Sequence, residues 1–352
     1  MIDDLRRLVE VESPSSDRAA LERSAEELAA LLDERLGRPA LLVGGDAGPH
    51  VHWSGGGEPR VLILGHHDTV FPLGTLTRRP FMVEDGRATG PGVFDMKAGI
   101  VQAVHAVAAV GDASHVEILI TCDEEVGSVT SRALLEERAL ACGAVLVLEP
   151  SADGGTLKSG RKGAGTFEVV VHGRAAHAGL EPHLGVNSLI EAARQIQRIA
   201  TFGDAVAGTT VTPTVVAGGT ADNVVPAETR VKVDVRVTSA AERDRVESAM
   251  RSLSPMDEGA RIEVLGGIGR PPMPESASAS LLPVALAHDP TLRAVVVGGA
   301  SDGNFTAALG VPTLDGLGAV GGGAHADHEH VLVDTMAERV ALLAALIESQ
   351  RT

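Results

Sequence analysis

The sequence predicts an α/β protein, with a mostly parallel sheet flanked by helices and a ferredoxin-like βαββαβ unit inserted into it. Short apolar runs without polar alternation are typical of strands that are buried on both faces. The chain has four such runs, Val61–Leu64, Val116–Thr121, Ala144–Leu148 and Ala294–Val297. Between the third and fourth runs the pattern changes to strand–helix–strand–strand–helix–strand, which is the order of a ferredoxin-like unit.

Two helices are predicted in the first third of the chain. Ser16 can cap a helix that runs to about Leu36, where Gly37-Arg38-Pro39 would end it. The alanine-rich stretch DMKAGIVQAVHAVAAVG lies between the first two apolar runs. Its composition suits a helix that packs on the sheet.

The inserted unit is predicted at 162–271, between the glycine- and proline-rich stretches SGRKGAG and GGIGRPPMPE. One of its strands alternates Val231, Val233, Val235 and Val237 with polar residues, so one face should be buried and the other wet. Residues 1–161 and 272–352 would then form one outer domain, assembled from both ends of the chain.

The composition excludes several classes of function. A net charge of −17 argues against a nucleic-acid surface, which needs clustered Lys and Arg. No continuous run of about 18 apolar residues is present, so no membrane span is expected. The first residues are charged and lack the apolar core of a signal peptide. Two cysteines, Cys122 and Cys142, offer no disulfide framework, and we therefore expect a cytoplasmic protein.

A polar cluster follows each of the four apolar runs. The clusters are His66-His67-Asp68, Asp123-Glu124-Glu125, Glu149-Pro150 and Ser301-Asp302-Gly303-Asn304. In open α/β sheets, ligands bind beyond the carboxyl ends of the strands. Because turns alone explain four such clusters poorly, we expect a binding site at this edge of the sheet.

The first cluster suggests a metal ligand together with its partner. In an extended segment His66 and Asp68 project to one side and His67 to the other. Metal-bound histidines commonly donate their second ring N–H to a carboxylate. We therefore interpret His66 as a ligand, Asp68 as its partner, and His67 as a residue facing solvent or packing. A polar strand end without metal is the alternative for this stretch taken alone.

Further candidate ligands follow other strands or lie in glycine-rich loops. Asp95 opens a helix, although alone it would be read as an N-cap. Glu124 and Glu125 place two negative charges side by side, which is unfavourable unless a positive charge is near. A solvated loop is the alternative explanation for this pair. Glu149 could be an ordinary strand-end charge, and His325 lies in GGGAHADHEHV. Together, two imidazoles and three carboxylates suffice for two divalent ions with one bridging carboxylate.

Five motifs resemble, in order, those of a known enzyme family: GHHDTV, GPGVFDMKAG, TCDEEVGS, VLEP and GGASDGNFTAALGVPTLDGLGAVGGGAHADHEHV. It is the dizinc metallopeptidase family of acetylornithine deacetylase, succinyl-diaminopimelate desuccinylase and glutamate carboxypeptidase. The likeness is strongest to the glutamate carboxypeptidase (carboxypeptidase G-like) branch and covers nearly the whole chain. It implies a zinc-peptidase-like catalytic domain with an inserted lid that often forms a homodimer.

The resemblance also implies roles for individual residues. The implied ligands are His66, Asp95 and Glu149 for one zinc ion, and Asp95, Glu125 and His325 for the other. Glu124 would be the general base and Asp68 the partner of His66. The family pattern often has a cis peptide after the bridging aspartate, here Asp95–Met96.

These residue types fit the hydrolysis of an amide bond. Two zinc ions can bring the pKa of a water that they share toward about 7. Glu124 can take that water's proton and pass it to the leaving amine. No Ser or Cys nucleophile is required, and we interpret Cys122 as a small buried residue. Cobalt or manganese could occupy the same ligands.

Candidate substrate-binding residues lie in the inserted unit. An enzyme acting at a chain terminus must bind a free carboxylate, which the two-pronged guanidinium of Arg236 or Arg270 could do. The resemblance implies that His177 stabilises the oxyanion, often in the partner subunit's site, and that Asn223 and Arg270 bind the substrate carboxylate. Each of the four has a simpler alternative. Arg236 could be a charge on the wet face of a strand, and Arg270 a linker residue. His177 and Asn223 could be turn residues.

The leading hypothesis is a zinc carboxypeptidase that releases a C-terminal amino acid, glutamate above all, from a small peptide or an N-acyl conjugate. An N-acyl-amino-acid deacylase of the same fold is the second hypothesis. An inactive binding protein is disfavoured because every ligand position carries the expected residue type. No GxxxxGK[ST] loop supports nucleotide binding, and two histidine ligands argue against calcium.

Overall fold

The computed structural model describes residues 1–351. The helices are α1 (Ile2–Val9), α2 (Arg18–Leu36), α3 (Thr75–Arg78), α4 (Ala98–Val110), α5 (Arg132–Ala141), α6 (Ser188–Ala200), α7 (Ala240–Arg251), α8 (Leu282–His288), α9 (Gly303–Ala308) and α10 (Met336–Ser349). The strands are β1 (Leu41–Gly44), β2 (Pro49–Ser54), β3 (Val61–His66), β4 (Met82–Glu84), β5 (Arg87–Thr89), β6 (Val116–Thr121), β7 (Ala144–Val147), β8 (Leu157–Arg161), β9 (Gly163–His172), β10 (Thr210–Gly218), β11 (Glu228–Val237), β12 (Arg261–Arg270), β13 (Ala294–Val297), β14 (Thr313–Leu314), β15 (Gly321–Gly322) and β16 (His330–Leu332).

The central sheet has six strands in the order β1-β2-β6-β3-β7-β14. β3 pairs in parallel with β6 and β7, and β14 pairs in parallel with β7, whereas β2 joins β6 antiparallel. Every residue of β3, β6 and β7 is buried. The predicted mostly parallel sheet is confirmed, and three of the four apolar runs are its central strands.

The fourth apolar run does not join this sheet. Ala294–Val297 is a strand, but it pairs with β8 in a separate two-stranded sheet, and three of its four residues are exposed. The prediction of burial on both faces is therefore wrong for this run. A short apolar run shows strand propensity, but it does not show what will cover the strand.

Helix α2 ends where the sequence predicts and begins one residue later than predicted. The side chain of Asp17, not that of Ser16, accepts the N–H of Ala20 and caps the helix. Gly37 takes the left-handed conformation, with φ +68°, at the other end. Leu28, Leu31 and Leu32 of α2 join one apolar core with the sheet and with α4 and α10.

One helical stretch, Val93–Val110, is long and apolar enough to cross a membrane by length and composition, although no such run was expected from the sequence. Asp95 and Met96 interrupt it with non-helical backbone angles. Within the fold 78% of the stretch is buried. We interpret it as a core helix packed on the sheet.

The inserted unit has a four-stranded antiparallel sheet in the order β10-β11-β9-β12, with α6 and α7 between strands in the chain. The predicted ferredoxin-like order is confirmed. Val231, Val233, Val235 and Val237 are all buried, as their alternation predicts.

The chain divides into two compact units, whereas the sequence predicts an inserted unit at 162–271. The second unit comprises Arg161–Met273 and Gly298–Ala300, and the first comprises the rest of the described chain. Arg161 and Met273, which begin and end the main segment of the second unit, exchange two backbone hydrogen bonds of 2.9 Å each.

Candidate metal centre

Three neighbouring strands of the central sheet deliver polar side chains to one edge. β3 ends at His66, β6 is followed by the turn that carries Glu124 and Glu125, and β7 is followed by Glu149. Because β6, β3 and β7 lie side by side and run parallel, their carboxyl ends meet. The loop before α4 brings Asp95 to the same place.

His66 lies at the centre of the first ligand group. Its Nε2 lies 3.2 Å from Asp95 Oδ1 and 3.7 Å from Glu149 Oε1. Its Nδ1 lies 3.0 Å from the carbonyl oxygen of Asp68, to which it donates when it carries the hydrogen. With that hydrogen on Nδ1, the Nε2 atom faces the two carboxylates and could bind a metal ion once it has lost its own proton.

His325 forms the second group with Asp95 and Glu125. Its Nε2 lies 3.3 Å from Asp95 Oδ2 and 3.2 Å from Glu125 Oε2. Asp95 therefore directs one carboxylate oxygen toward each histidine, which is the geometry of a bridging ligand. The peptide bond between Asp95 and Met96 is cis, as expected.

Asp68 contacts more than the histidine that the sequence assigned to it. Its Oδ1 lies 3.4 Å from His66 Nδ1 and accepts the Glu124 N–H at 3.2 Å. Its Oδ2 accepts the Ser15 hydroxyl at 2.7 Å and the Glu125 N–H at 3.2 Å. Asp68 thus orients both the imidazole and the turn that carries the two glutamates. Ser15 is a site residue that no local sequence pattern predicts.

The charges of the site call for a cation. Burial opposes the charged form of His66, but hydrogen bonds to Asp68 and Asp95 outweigh it and raise the pKa of His66 well above 6.5. Hydrogen bonds to Asp95 and Glu125 raise the pKa of His325 to about 10. Burial alone would raise the pKa of Asp95, but hydrogen bonds from the two histidines outweigh burial and lower it. A metal ion would replace these protons as the balancing positive charge.

His67 is not a candidate ligand. It is buried, its Nδ1 lies 3.1 Å from the Ser24 hydroxyl, and its Nε2 lies 3.2 Å from the Pro49 carbonyl oxygen. Burial lowers the pKa of His67 to about 4, so the ring is neutral. Of the two alternatives left open for His67, packing is the one observed.

A third group of potential ligands is His50, Cys122 and Asp123, all buried. His50 Nδ1 accepts the N–H of Cys122 at 3.3 Å, so the neutral ring carries its hydrogen on Nε2. Burial raises the pKa of the Cys122 thiol to about 12. The Cys122 thiol is protonated and the Nδ1 lone pair of His50 is engaged, so neither atom is prepared to bind a metal ion. This agrees with the interpretation of Cys122 as a small buried residue.

In the second unit, His177 and Asn223 lie on two exposed loops that are hydrogen-bonded to each other. The Ala178 N–H donates to the Asn223 carbonyl oxygen at 2.8 Å. His177 Nδ1 accepts the N–H groups of Gly179 and Leu180, each at 3.1 Å. The neutral ring therefore carries its hydrogen on Nε2, which is available as a donor.

The two candidate arginines differ in their surroundings. Arg270 ends β12, opposite Ala164 of β9. Arg236 lies on the wet face of β11, where its Nε and Nη2 donate to the two carboxylate oxygens of Asp234 at 3.1 and 3.0 Å. This ion pair accounts for Arg236 without a substrate, which favours the simpler alternative for that residue.

The chain matches a family model described as peptidase family M20/M25/M40 over residues 62–349. Carboxypeptidase G2 of Pseudomonas sp. (strain RS-16) is 29% identical over 371 aligned positions, covering 99% of this chain and 88% of that protein. Succinyl-diaminopimelate desuccinylase of Rhodospirillum centenum (strain ATCC 51521 / SW) is 28% identical over 324 positions, covering 82% of this chain and 81% of that protein.

Solved structures share the fold across the whole chain. Aminopeptidase PepT from Bacillus cereus ATCC 10987 has a TM-score of 0.78 at 21% identity, covering 100% of this chain and 98% of that one. YXEP from Bacillus subtilis, described as a dinuclear metal-binding peptidase, has a TM-score of 0.68 at 16% identity, covering 100% and 97%.

Proposed function

This chain belongs to peptidase family M20/M25/M40, whose members are metal-dependent hydrolases, and from that premise we propose that it is a carboxypeptidase. In this proposal it releases a C-terminal amino acid, glutamate above all, from a small peptide or N-acyl conjugate. The observation that carries the proposal is Asp95, with one carboxylate oxygen directed at each of two histidines. The alignment with carboxypeptidase G2 over 99% of the chain supports the amide bond to the C-terminal amino acid as the bond that is cleaved.

We propose two Zn²⁺ ions per subunit, although Co²⁺ or Mn²⁺ suits the same nitrogen and oxygen donors. The residues that would hold them are His66, Asp95 and Glu149 for one ion, and Asp95, Glu125 and His325 for the other. Each group has three protein ligands, which leaves room for water or substrate. When bound, the ions would lower the pKa of a water molecule and polarise the scissile carbonyl.

Glu124 is the proposed general base. Its N–H is held by Asp68, and its side chain is mostly buried beside the ligand Glu125. In the proposed reaction the Glu124 carboxylate accepts a proton from the attacking water and donates it to the nitrogen of the leaving amino acid. The same proton therefore completes the cleavage of the C–N bond.

The second unit supplies the proposed substrate contacts. His177 presents Nε2–H as a donor, because its Nδ1 is engaged by backbone N–H groups, and this suits stabilisation of an oxyanion. Arg270 and Asn223 are the proposed partners of the substrate carboxylate. Arg236 is the weaker candidate because Asp234 already engages it.

A deacylase acting on N-acyl amino acids is the alternative, supported by the alignments with succinyl-diaminopimelate desuccinylases. Both reactions use the same metal ligands and base, so only the preferred substrate distinguishes the carboxypeptidase from the deacylase. We would assay short peptides and N-acyl conjugates that end in glutamate beside N-acetyl and N-succinyl diamino acids. Each assay would be repeated with a chelator and after restoring Zn²⁺.

The proposal expects chelator-sensitive release of C-terminal glutamate with the higher kcat/KM. Faster cleavage of the N-acyl diamino acids would favour the deacylase. Activity that survives complete removal of metal would exclude both.

We further propose a homodimer formed through the second unit. Helix α6 exposes Leu189 and Ile190, and the edge strand β10 exposes Val215 and Val216. An edge strand with exposed valines is a surface suited to pairing with a second copy.

We also propose a cytoplasmic location, which rests on the sparse, unpaired cysteines and would be tested by fractionation of the host cell.

A further inference from the structure

Glu329 is a fully buried carboxylate that the function proposed above does not use. It is 0% exposed, and it lies four residues after His325 at the start of the segment that continues into β16. β16 pairs with β5, so His330 lies opposite Thr89. This pairing brings Glu329 beside the loop that leads from β5 to the bridging Asp95.

The Glu329 carboxylate accepts three backbone N–H groups of that loop. Its Oε1 accepts the N–H groups of Phe94 and Asp95, each at 2.9 Å, and its Oε2 accepts that of Gly92 at 3.0 Å. Three such bonds to one carboxylate determine the orientation of three peptide planes. The loop passes close to the Thr69 side chain at Gly92, which has φ +70° and where an added Cβ would collide with Thr69.

We propose that Glu329 is a positioning residue of the metal centre, whose carboxylate holds the main chain of Asp95 so that its two oxygens reach the two histidines. This inference rests on the proposed function. An ordinary loop requires no buried carboxylate, whose burial is costly unless it is hydrogen-bonded. Here its hydrogen bonds hold the residue shared by both ligand groups. A partner of a metal ligand typically contributes about 10- to 100-fold to metal affinity or activity.

The test compares Glu329→Gln with Glu191→Gln. Glu191 is a matched control, since it is 1% exposed and accepts the N–H groups of Met256 and Asp257 at 3.0 and 3.1 Å in the second unit. A glutamine at position 329 keeps the size of the side chain, but its amide nitrogen cannot accept a hydrogen bond. Each protein, freed of metal, would be titrated with Co²⁺ while its visible absorption spectrum and the affinity are recorded.

We expect Glu329→Gln to bind Co²⁺ about 10- to 100-fold more weakly and with an altered spectrum. Glu191→Gln should lower the melting temperature and keep the wild-type spectrum and affinity. Glu329→Asp, which keeps the carboxyl group but withdraws it by one methylene, should also alter the spectrum, and it provides the test if the glutamine variant does not fold.

Wild-type spectra and affinities in both Glu329 variants would overturn this inference alone, even if the variants melt earlier. A wild-type chain that binds neither Co²⁺ nor Zn²⁺ would overturn the proposed function, and this inference with it.

Discussion

At the residue scale, the site depends on which atom of each side chain faces which partner. His66 uses Nδ1 on its own chain and keeps Nε2 for the carboxylates. Its neighbour His67 points the other way and is neutral and buried. Two adjacent histidines thus have opposite roles because successive side chains of a strand point to opposite faces.

Glu124→Gln should lower kcat by at least about 10²- to 10⁴-fold without loss of bound metal, because it removes the proton acceptor and no ligand. Steady-state kinetics and metal analysis of the purified variant check this. Glu125→Gln is the control and should lose the ion held with His325. A Glu124→Gln protein that retains wild-type turnover would contradict the assigned base.

Metal binding at pH 7 should release protons, because imidazoles must be neutral to bind metal. Without metal, hydrogen bonds to Asp95 and Glu125 raise the pKa of His325 to about 10, so this ring is protonated at pH 7, and hydrogen bonds to Asp68 and Asp95 raise the pKa of His66 in the same direction. Raising the pH from 7 toward 10 removes the competing proton of His325, so the apparent affinity should increase. Calorimetry in buffers of different ionisation enthalpy measures the released protons. Heats that do not depend on the buffer would contradict this assignment.

At the element scale, close contact between backbones holds the ligand loops in place. The loop after β14 packs on the end of β7, where the Gly318 N–H donates to the Glu149 carbonyl oxygen at 2.9 Å. A Cβ at Gly318 would collide with the Leu148 carbonyl oxygen and lie 2.8 Å from that of Glu149. Backbone atoms cannot move aside as the end of a flexible side chain can.

Gly318→Ala should therefore destabilise the protein by about 1–3 kcal/mol and weaken the ligand group that contains Glu149. Thermal unfolding with and without Zn²⁺ checks both effects. Gly44→Ala is the control, because nothing lies within 4 Å of a Cβ there, and it should change stability by less than about 0.5 kcal/mol. Equal melting temperatures for the two variants would show that the backbone at Gly318 yields easily.

At the scale of the whole molecule, the chain forms two units with separate cores. The first contains every proposed metal ligand, and the second contains His177, Asn223 and Arg270. Each unit buries its own apolar residues. The exposed apolar residues of α6 and β10 are the surface that the homodimer proposal concerns.

Ile190→Glu should shift a dimer toward monomer, because it places a charge on a side chain that is 53% exposed in the single chain and would be covered in the dimer. Sedimentation over a range of concentrations measures the shift. Val206→Glu is the control, since Val206 is 100% exposed in a turn outside α6 and β10. If His177 acts in the partner subunit's site, activity per chain should also fall on dilution. A wild-type monomer with constant activity per chain would exclude the dimer and the shared site.

The sequence by itself determined the three buried strands, the alternating valines of the inserted sheet, and the polar residues after each strand. These features are predictable because burial imposes a local pattern, and because parallel neighbours end at the same edge. A local pattern does not specify what covers an element, and so the exposure of Ala294–Val297 could not be anticipated.

Only the tertiary structure decided how the atoms of the site are paired. The two oxygens of Asp95 face two different histidines, and Asp68 accepts the N–H of Glu124. These contacts join segments that are tens to hundreds of residues apart. The three hydrogen bonds to Glu329 span 234 to 237 residues. Such contacts depend on backbone register and side-chain rotamers that are settled only when the whole core packs, and no short stretch of sequence carries that information.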